Sequence, residues 1–175
     1  MNLGLKINEV RLVDYSSKWK DEFERIKHSI LKNSDLDEEI IQHIGSTAIV
    51  GMSAKPIIDI VIGIDDLENI SKELFKSLEK VGFLRLKVNR PNELVLAKFL
   101  DNTYQNKTHS IHLVEYKEEL WNDLIFFRDY LNDNKSARDR YLDIKKSYAD
   151  KNSIGINEST SFKESFVKEI NQKRI

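Results

Sequence analysis

Cysteine is absent from the 175 residues, which excludes disulfides, thiolate metal ligands and cysteine nucleophiles. The chain has only two prolines and six glycines, and no stretch of it has the composition of a flexible linker. No segment approaches the roughly 18 apolar residues of a membrane span. We therefore expect one domain over residues 1–175, in the cytoplasm and with no membrane partner.

The chain also lacks a large excess of either charge, because its formal net charge is −1. That balance does not favour nucleic acid as a partner. Basic residues are nevertheless concentrated towards the end of the chain, where residues 135–175 hold ten Lys or Arg against six Asp or Glu. This excess is typical of a solvated helical surface, and it also suits a basic wall that faces a phosphorylated ligand. Both interpretations stay open, and the oligomeric state is not predicted.

Residues 42–64 are the most informative segment. An apolar stretch breaks at Gly45-Ser46 and resumes as a run of branched aliphatic residues whose only charge is Asp59. A strand of that composition is normally buried on both faces, so Asp59 needs a cation, a metal or a set of donors. Glycine allows backbone N–H groups to approach a ligand, and Ser46 can cap a turn or donate to a phosphate. A phosphate held at Gly45-Ser46 beside a metal held at Asp59 would form a nucleotide site.

Two parts of this segment, residues 43–48 and 54–60, resemble the GrpB family, a branch of the polymerase-beta-like nucleotidyltransferase superfamily. The resemblance runs nearly end to end. Residues 13–15, 109–115 and 127–131 are similar to the family's opening, histidine strand and helix signature. It implies an α+β fold, in which a mixed β-sheet is flanked by helices and the C-terminal third is helical.

The resemblance also implies a divalent metal, Mg²⁺ or Mn²⁺, bound at Asp59. The superfamily usually places two carboxylates on this strand and a third on a later strand, where they hold ions that bridge phosphates. Here Asp59 stands alone, and the later position is taken by His112, or by Glu115 if the register differs. His112 can complete the metal site, accept a proton, or be a buried structural histidine. As a ligand, neutral imidazole favours Mn²⁺ or Zn²⁺ over Mg²⁺.

Five further side chains are candidates for ligand contact, each with a structural alternative. His43 can lie beside the phosphate or be a satisfied group at a strand end, and Lys55 can reach a phosphate or pair with Asp59. Arg128 can bind an anion or hold its helix against the sheet. Lys145 and Lys163 resemble the family's closing helices, and they can contact phosphate or simply solvate a surface.

Two hypotheses of function follow. The first is a metal-dependent nucleotidyltransferase that moves a nucleotidyl group from a nucleoside triphosphate to an unknown acceptor, with Asp59 and His112 as catalytic residues. The second is a non-catalytic module of the same fold that binds a nucleotide or a phosphorylated metabolite. The single strand carboxylate is the main argument against the first.

Hydrophobic periodicity predicts the elements that carry these residues. A helix of about 16 residues begins after Ser16 or Ser17, with Trp19, Phe23, Ile26 and Ile30 on its buried face. Asp65-Asp66 caps a second helix that ends near Gly82, and residues 157–160 form the cap region of the last one. The predicted strands span 5–13, 40–44, 57–64, 83–88, 94–100 and 108–116. The remaining predicted helices span 118–131, 137–150 and 161–171.

Overall fold

The computed structural model describes residues 2–149 and 156–174, and for residues 156–161 it describes the backbone alone. The strands are β1 (Leu5–Lys6), β2 (Ile41–Ile44), β3 (Ile58–Ile64), β4 (Leu84–Arg85), β5 (Leu94–Phe99) and β6 (Asn106–Glu115). The α-helices are α1 (Lys18–Lys32), α2 (Lys72–Lys80), α3 (Glu119–Asp133), α4 (Lys135–Ala149) and α5 (Ile156–Asn171). The predicted α+β fold with a helical C-terminal third is confirmed. No helix in the described part of the chain is long and apolar enough to cross a membrane.

The six strands form one mixed sheet in the order β2-β3-β6-β5-β4, and β1 pairs with the beginning of β6. Strands β3 and β6 run parallel, whereas the other pairs are antiparallel. The register places Asp59 opposite Ile44 of β2 and opposite Ser110 of β6, with Val61 opposite His112. Asp59 and His112 therefore lie diagonally across one strand pair, on the same face of the sheet.

The two faces of the sheet are covered by different helices. Alternate residues of β3, Ile58, Ile60 and Ile62, pack with the buried stripe of α1. That stripe is the predicted one, since Trp19, Phe23, Ile26 and Ile30 are all buried. On the opposite face, Val61 packs with Ile44, Val114 and Trp121, the last from α3. Asp59 thus opens onto the side of the sheet that carries the C-terminal helices.

Helices α3, α4 and α5 share a third hydrophobic cluster with the loop that follows Gly45-Ser46. The loop contributes Ile49 and Met52. Within the cluster, the rings of Tyr141 and Phe166 stack with their centroids 5.1 Å apart. The packing fixes the helices against the turn, because protein interiors are dense and transmit such constraints.

Two predicted boundaries are wrong. The first strand ends at Lys6 because the Glu9 carboxylate accepts the Lys6 amide at 2.9 Å and Asn8 takes a positive φ of 69°, which turns the chain. Helix α2 begins at Lys72, not after Asp66, since Asp66 folds a turn with Glu68 while the Ser71 hydroxyl accepts from the Leu74 amide. The chain still stops α2 at Gly82, as predicted, where φ is 104°.

The other differences concern strand and helix lengths. The predicted strand 83–88 shrinks to Leu84–Arg85. Helix α5 begins at Ile156, so residues 157–160 lie inside it and do not form its cap. The predicted end of α4 at Asp150 lies outside the described residues, which reach Ala149.

Candidate functional site

Gly45 forms the turn between β2 and a short 3-10 segment, Ser46–Ala48. Its φ is 74°, a conformation that L side chains rarely adopt. A Cβ atom at this position would lie 2.7 Å from Oδ2 of Asp59 and 3.1 Å from its Cβ. Glycine is therefore required twice, for the turn and for the close approach of the Asp59 carboxylate. The sequence predicted a close approach at Gly45 but assigned it to a ligand phosphate.

The Asp59 carboxylate faces His112 across the β3–β6 pair, with 3.6 Å between Oδ1 and Nε2. The other ring nitrogen of His112, Nδ1, lies 3.4 Å from Oε1 of Glu93. Burial alone would lower the pKa of His112, but its hydrogen bonds and charge attraction to Asp59 and Glu93 outweigh it and raise the pKa to about 9. His112 is thus an imidazolium held between two carboxylates at neutral pH.

Asp59 itself remains ionised. Burial would raise its pKa, but His112 and the charges of Lys163 and Lys107 together hold the pKa below its ordinary value. Its side chain is 35% exposed, whereas those of His112 and Glu93 are 16% and 11% exposed. The carboxylate is therefore reachable from solvent, although its histidine partner is largely enclosed.

Lys145 reaches from α4 to the Gly45-Ser46 turn. Its Nζ donates to Oγ of Ser46 and to the carbonyl oxygen of Ser53, the latter at 3.2 Å, and lies 4.6 Å from the centre of the Tyr141 ring. Burial, followed by repulsion from Lys163 and Lys55, lowers its pKa to about 7, although Asp59 acts in the opposite direction. The ammonium group is therefore poorly neutralised in the free protein and gains from any anion that binds beside it.

Three more lysines act electrostatically on this part of the site: Lys163 acts on Asp59 and Lys145, Lys107 acts on Asp59, and Lys55 acts on Lys145. Lys55 and Lys163 are exposed, and Lys107 is half-buried at the start of β6. Partial desolvation, then repulsion from Lys163 and Lys107, lowers the pKa of Lys55. We call Lys55, Lys107, Lys145 and Lys163, with Ser46 and Asp59, the lysine cleft. Its charge is predominantly positive.

His43 and Arg128 lie outside this cleft. His43 points to the α1 side of the sheet, where its ring stacks on Phe23 at 4.9 Å and its Nε2 lies 2.9 Å from Oγ1 of Thr47. Burial lowers the pKa of His43 to about 4. Arg128 donates to the side-chain oxygen of Gln42 and to the carbonyl of His43, both at 3.0 Å, so it ties α3 to β2. These contacts are the ones expected from the structural alternatives given above for both residues.

The strand register also separates Glu115 from the cleft. Glu115 lies opposite Ile64, at the far end of β3 from Asp59. There it lines an acidic cavity of about 230 Å³ together with Asn92, Glu118, Glu119 and Leu120. Of the two candidates for the later position, His112 is therefore the one that the sheet brings to Asp59. His109, as predicted, faces the other way and contacts Glu22 of α1 at 2.8 Å.

The residues at Asp59 do not fit a divalent cation. Among the residues that the structure describes, no three His, Asp, Glu or Cys side chains are placed to hold a metal ion together. Both nitrogens of His112 already face carboxylates, with Nδ1 3.4 Å from Glu93 and Nε2 3.6 Å from Asp59. Asp59 alone is a weak site for an ion that prefers several oxygen ligands.

Two residues of the site escaped prediction. Glu93 lies in a polar stretch just before β5, and Lys107 follows the hairpin loop, so neither falls in a recognisable pattern. Only the alignment of β5 and β6, which sets Val95 opposite His112, reveals that Glu93 reaches the imidazole. No local signal in the sequence would have found it.

The sheet, the Gly45 turn and the acidic strand β3 define a protein of nucleotidyltransferase-like fold. A mutant of Cid1 poly(U) polymerase, solved bound to MgATP, superimposes with a TM-score of 0.54 at 13% identity, covering 81% of this chain and 46% of that one. A crystal structure of the conserved protein GrpB from Enterococcus faecalis gives a TM-score of 0.73 at 24% identity, covering 94% and 99%.

Sequence comparison narrows the class to a family. The model of the family described as GrpB protein matches residues 9–173, so the chain belongs to the GrpB family. The glutamate-rich protein GrpB of Alkalihalophilus pseudofirmus is 40% identical over 171 residues, which are 96% of this chain and 97% of that relative.

Proposed function

We propose that this protein binds the phosphate groups of a nucleoside triphosphate, or of another phosphorylated small molecule, in the lysine cleft. The observation that carries the proposal is the contact of Lys145 with Ser46, beside an Asp59 carboxylate that also interacts electrostatically with Lys55, Lys107 and Lys163. Lys55, Lys107 and Lys163, with the partly protonated Lys145, outweigh the single carboxylate of Asp59 and leave a positive field.

The state of Lys145 supports an anionic ligand in particular. Its lowered pKa reports that burial and neighbouring lysines oppose its charge in the free protein. A phosphate beside Nζ would restore that charge and accept a charge-assisted hydrogen bond, which is about twice as strong as a neutral one. Ser46 begins the 3-10 segment, and its hydroxyl oxygen accepts a hydrogen bond from Nζ of Lys145. The hydroxyl hydrogen can therefore be donated to the same phosphate.

A nucleotide is the form of phosphate ligand that the fold favours. The likeness to the MgATP-bound polymerase is one of fold alone, and it supports a nucleoside triphosphate by analogy. The site argues for phosphate binding independently of that analogy. The two arguments are separable, because one predicts binding of any polyphosphate and the other predicts a preference for a base.

Isothermal titration calorimetry tests the proposal. ATP and inorganic tripolyphosphate are titrated into the wild type, into Lys145→Met and into Lys135→Met, the last a control on the same helix whose side chain is 79% exposed. We expect ATP to bind the wild type and the control alike, and Lys145→Met to lose about tenfold or more in affinity, as for a lost charged hydrogen bond. Equal affinities for all three proteins would remove Lys145 from the site.

Nucleotidyl transfer is a second candidate, which the fold and the solvent-reachable Asp59 carboxylate favour. Incubation with α-labelled nucleoside triphosphates and a panel of small acceptors, with Mg²⁺ or Mn²⁺, would reveal it as release of pyrophosphate. Release that is lost in Asp59→Asn and in His112→Ala supports transfer. Nucleotide binding without release under any of these conditions supports the binding module.

A further inference from the structure

We infer that the lysine cleft binds its phosphate ligand without a divalent cation, because its ammonium groups supply the neutralising charge. This inference rests on the proposed function and deepens it. It follows from three features of the described residues: the engagement of the only carboxylate in the cleft, the enclosure of His112, and the excess of positive charge.

The first feature is that Asp59 already has its counter-charges. Oδ1 lies 3.6 Å from Nε2 of His112, and Oδ2 is packed against Gly45, where a Cβ atom would come within 2.7 Å. Lys163 and Lys107 act on the same carboxylate. An incoming divalent cation would have to displace this set and would meet like charges on arrival.

The second feature is that His112 cannot turn towards a metal. Glu93 holds Nδ1 and Asp59 faces Nε2, so both nitrogens are committed to carboxylates within a side chain that is 16% exposed. Glu93 is anchored in turn by Arg90, whose Nη1 lies 3.3 Å from Oε1. Rotation of the ring would break both contacts, and would leave the enclosed Glu93 carboxylate with Arg90 alone.

The third feature is the charge of the cleft. The negative charge of Glu93 is balanced by His112 and Arg90, which leaves Asp59 against Lys55, Lys107, Lys145 and Lys163. Such a cleft attracts polyphosphate and repels Mg²⁺. The ammonium of Lys145, with its hydrogen bonds to Ser46 and Ser53, already occupies a fixed position there.

The role of Asp59 separates this inference from the metal-dependent interpretation. If Asp59 holds a cation that bridges the phosphates, Asp59→Asn must weaken ATP binding in Mg²⁺. If no cation takes part, the same substitution removes one repulsive charge near the phosphates and must strengthen binding, by about fivefold if the two charges lie about 4 Å apart in water. The amide keeps the size of the carboxylate, so the fold of the Gly45 turn is preserved.

The experiment measures the affinities for ATP and for tripolyphosphate by calorimetry in EDTA and again in excess Mg²⁺, for the wild type and for Asp59→Asn. We expect wild-type dissociation constants within about threefold of each other in the two buffers, and tighter binding by Asp59→Asn in both. Thermal unfolding of both proteins checks that the variant folds.

Unchanged or weaker ATP binding by Asp59→Asn in either buffer overturns this inference. Wild-type binding in Mg²⁺ that disappears in EDTA, or loss of Mg²⁺-supported binding in Asp59→Asn, overturns this inference while leaving the proposed function intact. Absence of ATP and tripolyphosphate binding in both buffers overturns the proposed function itself. Should Asp59→Asn unfold, Asp59→Ser is measured in its place, with the same expectation.

Discussion

Removal of the Glu93 carboxylate should lower the pKa of His112 while leaving the imidazole in place. Glu93 lies 3.4 Å from Nδ1 and is 11% exposed, so its charge is poorly screened by solvent. An opposite charge at such a distance shifts a pKa by about one to three units. We therefore expect Glu93→Gln to bring the pKa of His112 down from about 9 by at least one unit. The glutamine amide keeps the shape and one acceptor oxygen.

The contribution of the Asp59, His112 and Glu93 cluster to the free energy of unfolding follows from the same pKa shift of His112. The pKa of His112 rises from its ordinary value of 6.5 to about 9, which at about 1.36 kcal/mol per pKa unit corresponds to about 3 kcal/mol of stability. Because the folded protein holds this proton more tightly, the contribution is complete below pH 6.5 and is lost as the pH rises through 9. Lys145 contributes to the pH dependence of stability with the opposite sign. Its pKa in the folded protein, about 7, lies below the ordinary 10.5, so its contribution to stability rises with pH between those values.

The two contributions oppose each other between pH 7 and 9, so the unfolding curve of the wild type alone does not isolate His112. The measurement is the difference in urea unfolding free energy between the wild type and His112→Gln from pH 6 to 10, together with an NMR titration of the His112 ring. The difference should fall by about 3 kcal/mol across this range. A wild-type His112 that titrates near 6.5, or a pKa unmoved by Glu93→Gln, would refute the ion cluster.

Three further outcomes are expected. ATP binding at pH 8 should take up protons, because a phosphate restores the charge of Lys145; calorimetry in buffers of different ionisation enthalpy should show this uptake, and Lys145→Met should lack it. Gly45→Ala should cost about 1–3 kcal/mol for its backbone conformation alone, with φ 74° and ψ −173°, and more because its Cβ displaces Asp59; an unchanged urea midpoint would contradict the turn geometry. Arg128→Ala should destabilise the protein by about 2 kcal/mol, through its bonds to Gln42 and the β2 backbone, while leaving ATP affinity within about twofold; a large loss of affinity would return Arg128 to the site.

Hydrophobic periodicity and turn residues correctly predicted several helices and strands. The stripe of α1, the buried strand around Asp59 and the stop at Gly82 were confirmed, since helix and strand periods fix which side chains share a face. The errors fell at boundaries where a side chain competed with the backbone. Glu9 ended β1 early, and Asp66 formed a turn where a helix cap was predicted.

By itself the sequence determined that Gly45, Ser46 and Asp59 form one unit and that His109 and His112 point to opposite faces. These facts depend on positive φ, on strand alternation and on the cost of a lone carboxylate among aliphatic side chains. Tertiary structure decided which partners complete the unit. Strand pairing places Glu93 beside His112 and Glu115 at the far end of β3 from Asp59. Helix packing places Lys145 in contact with Ser46. Such contacts join segments far apart in the chain, so no local pattern encodes them.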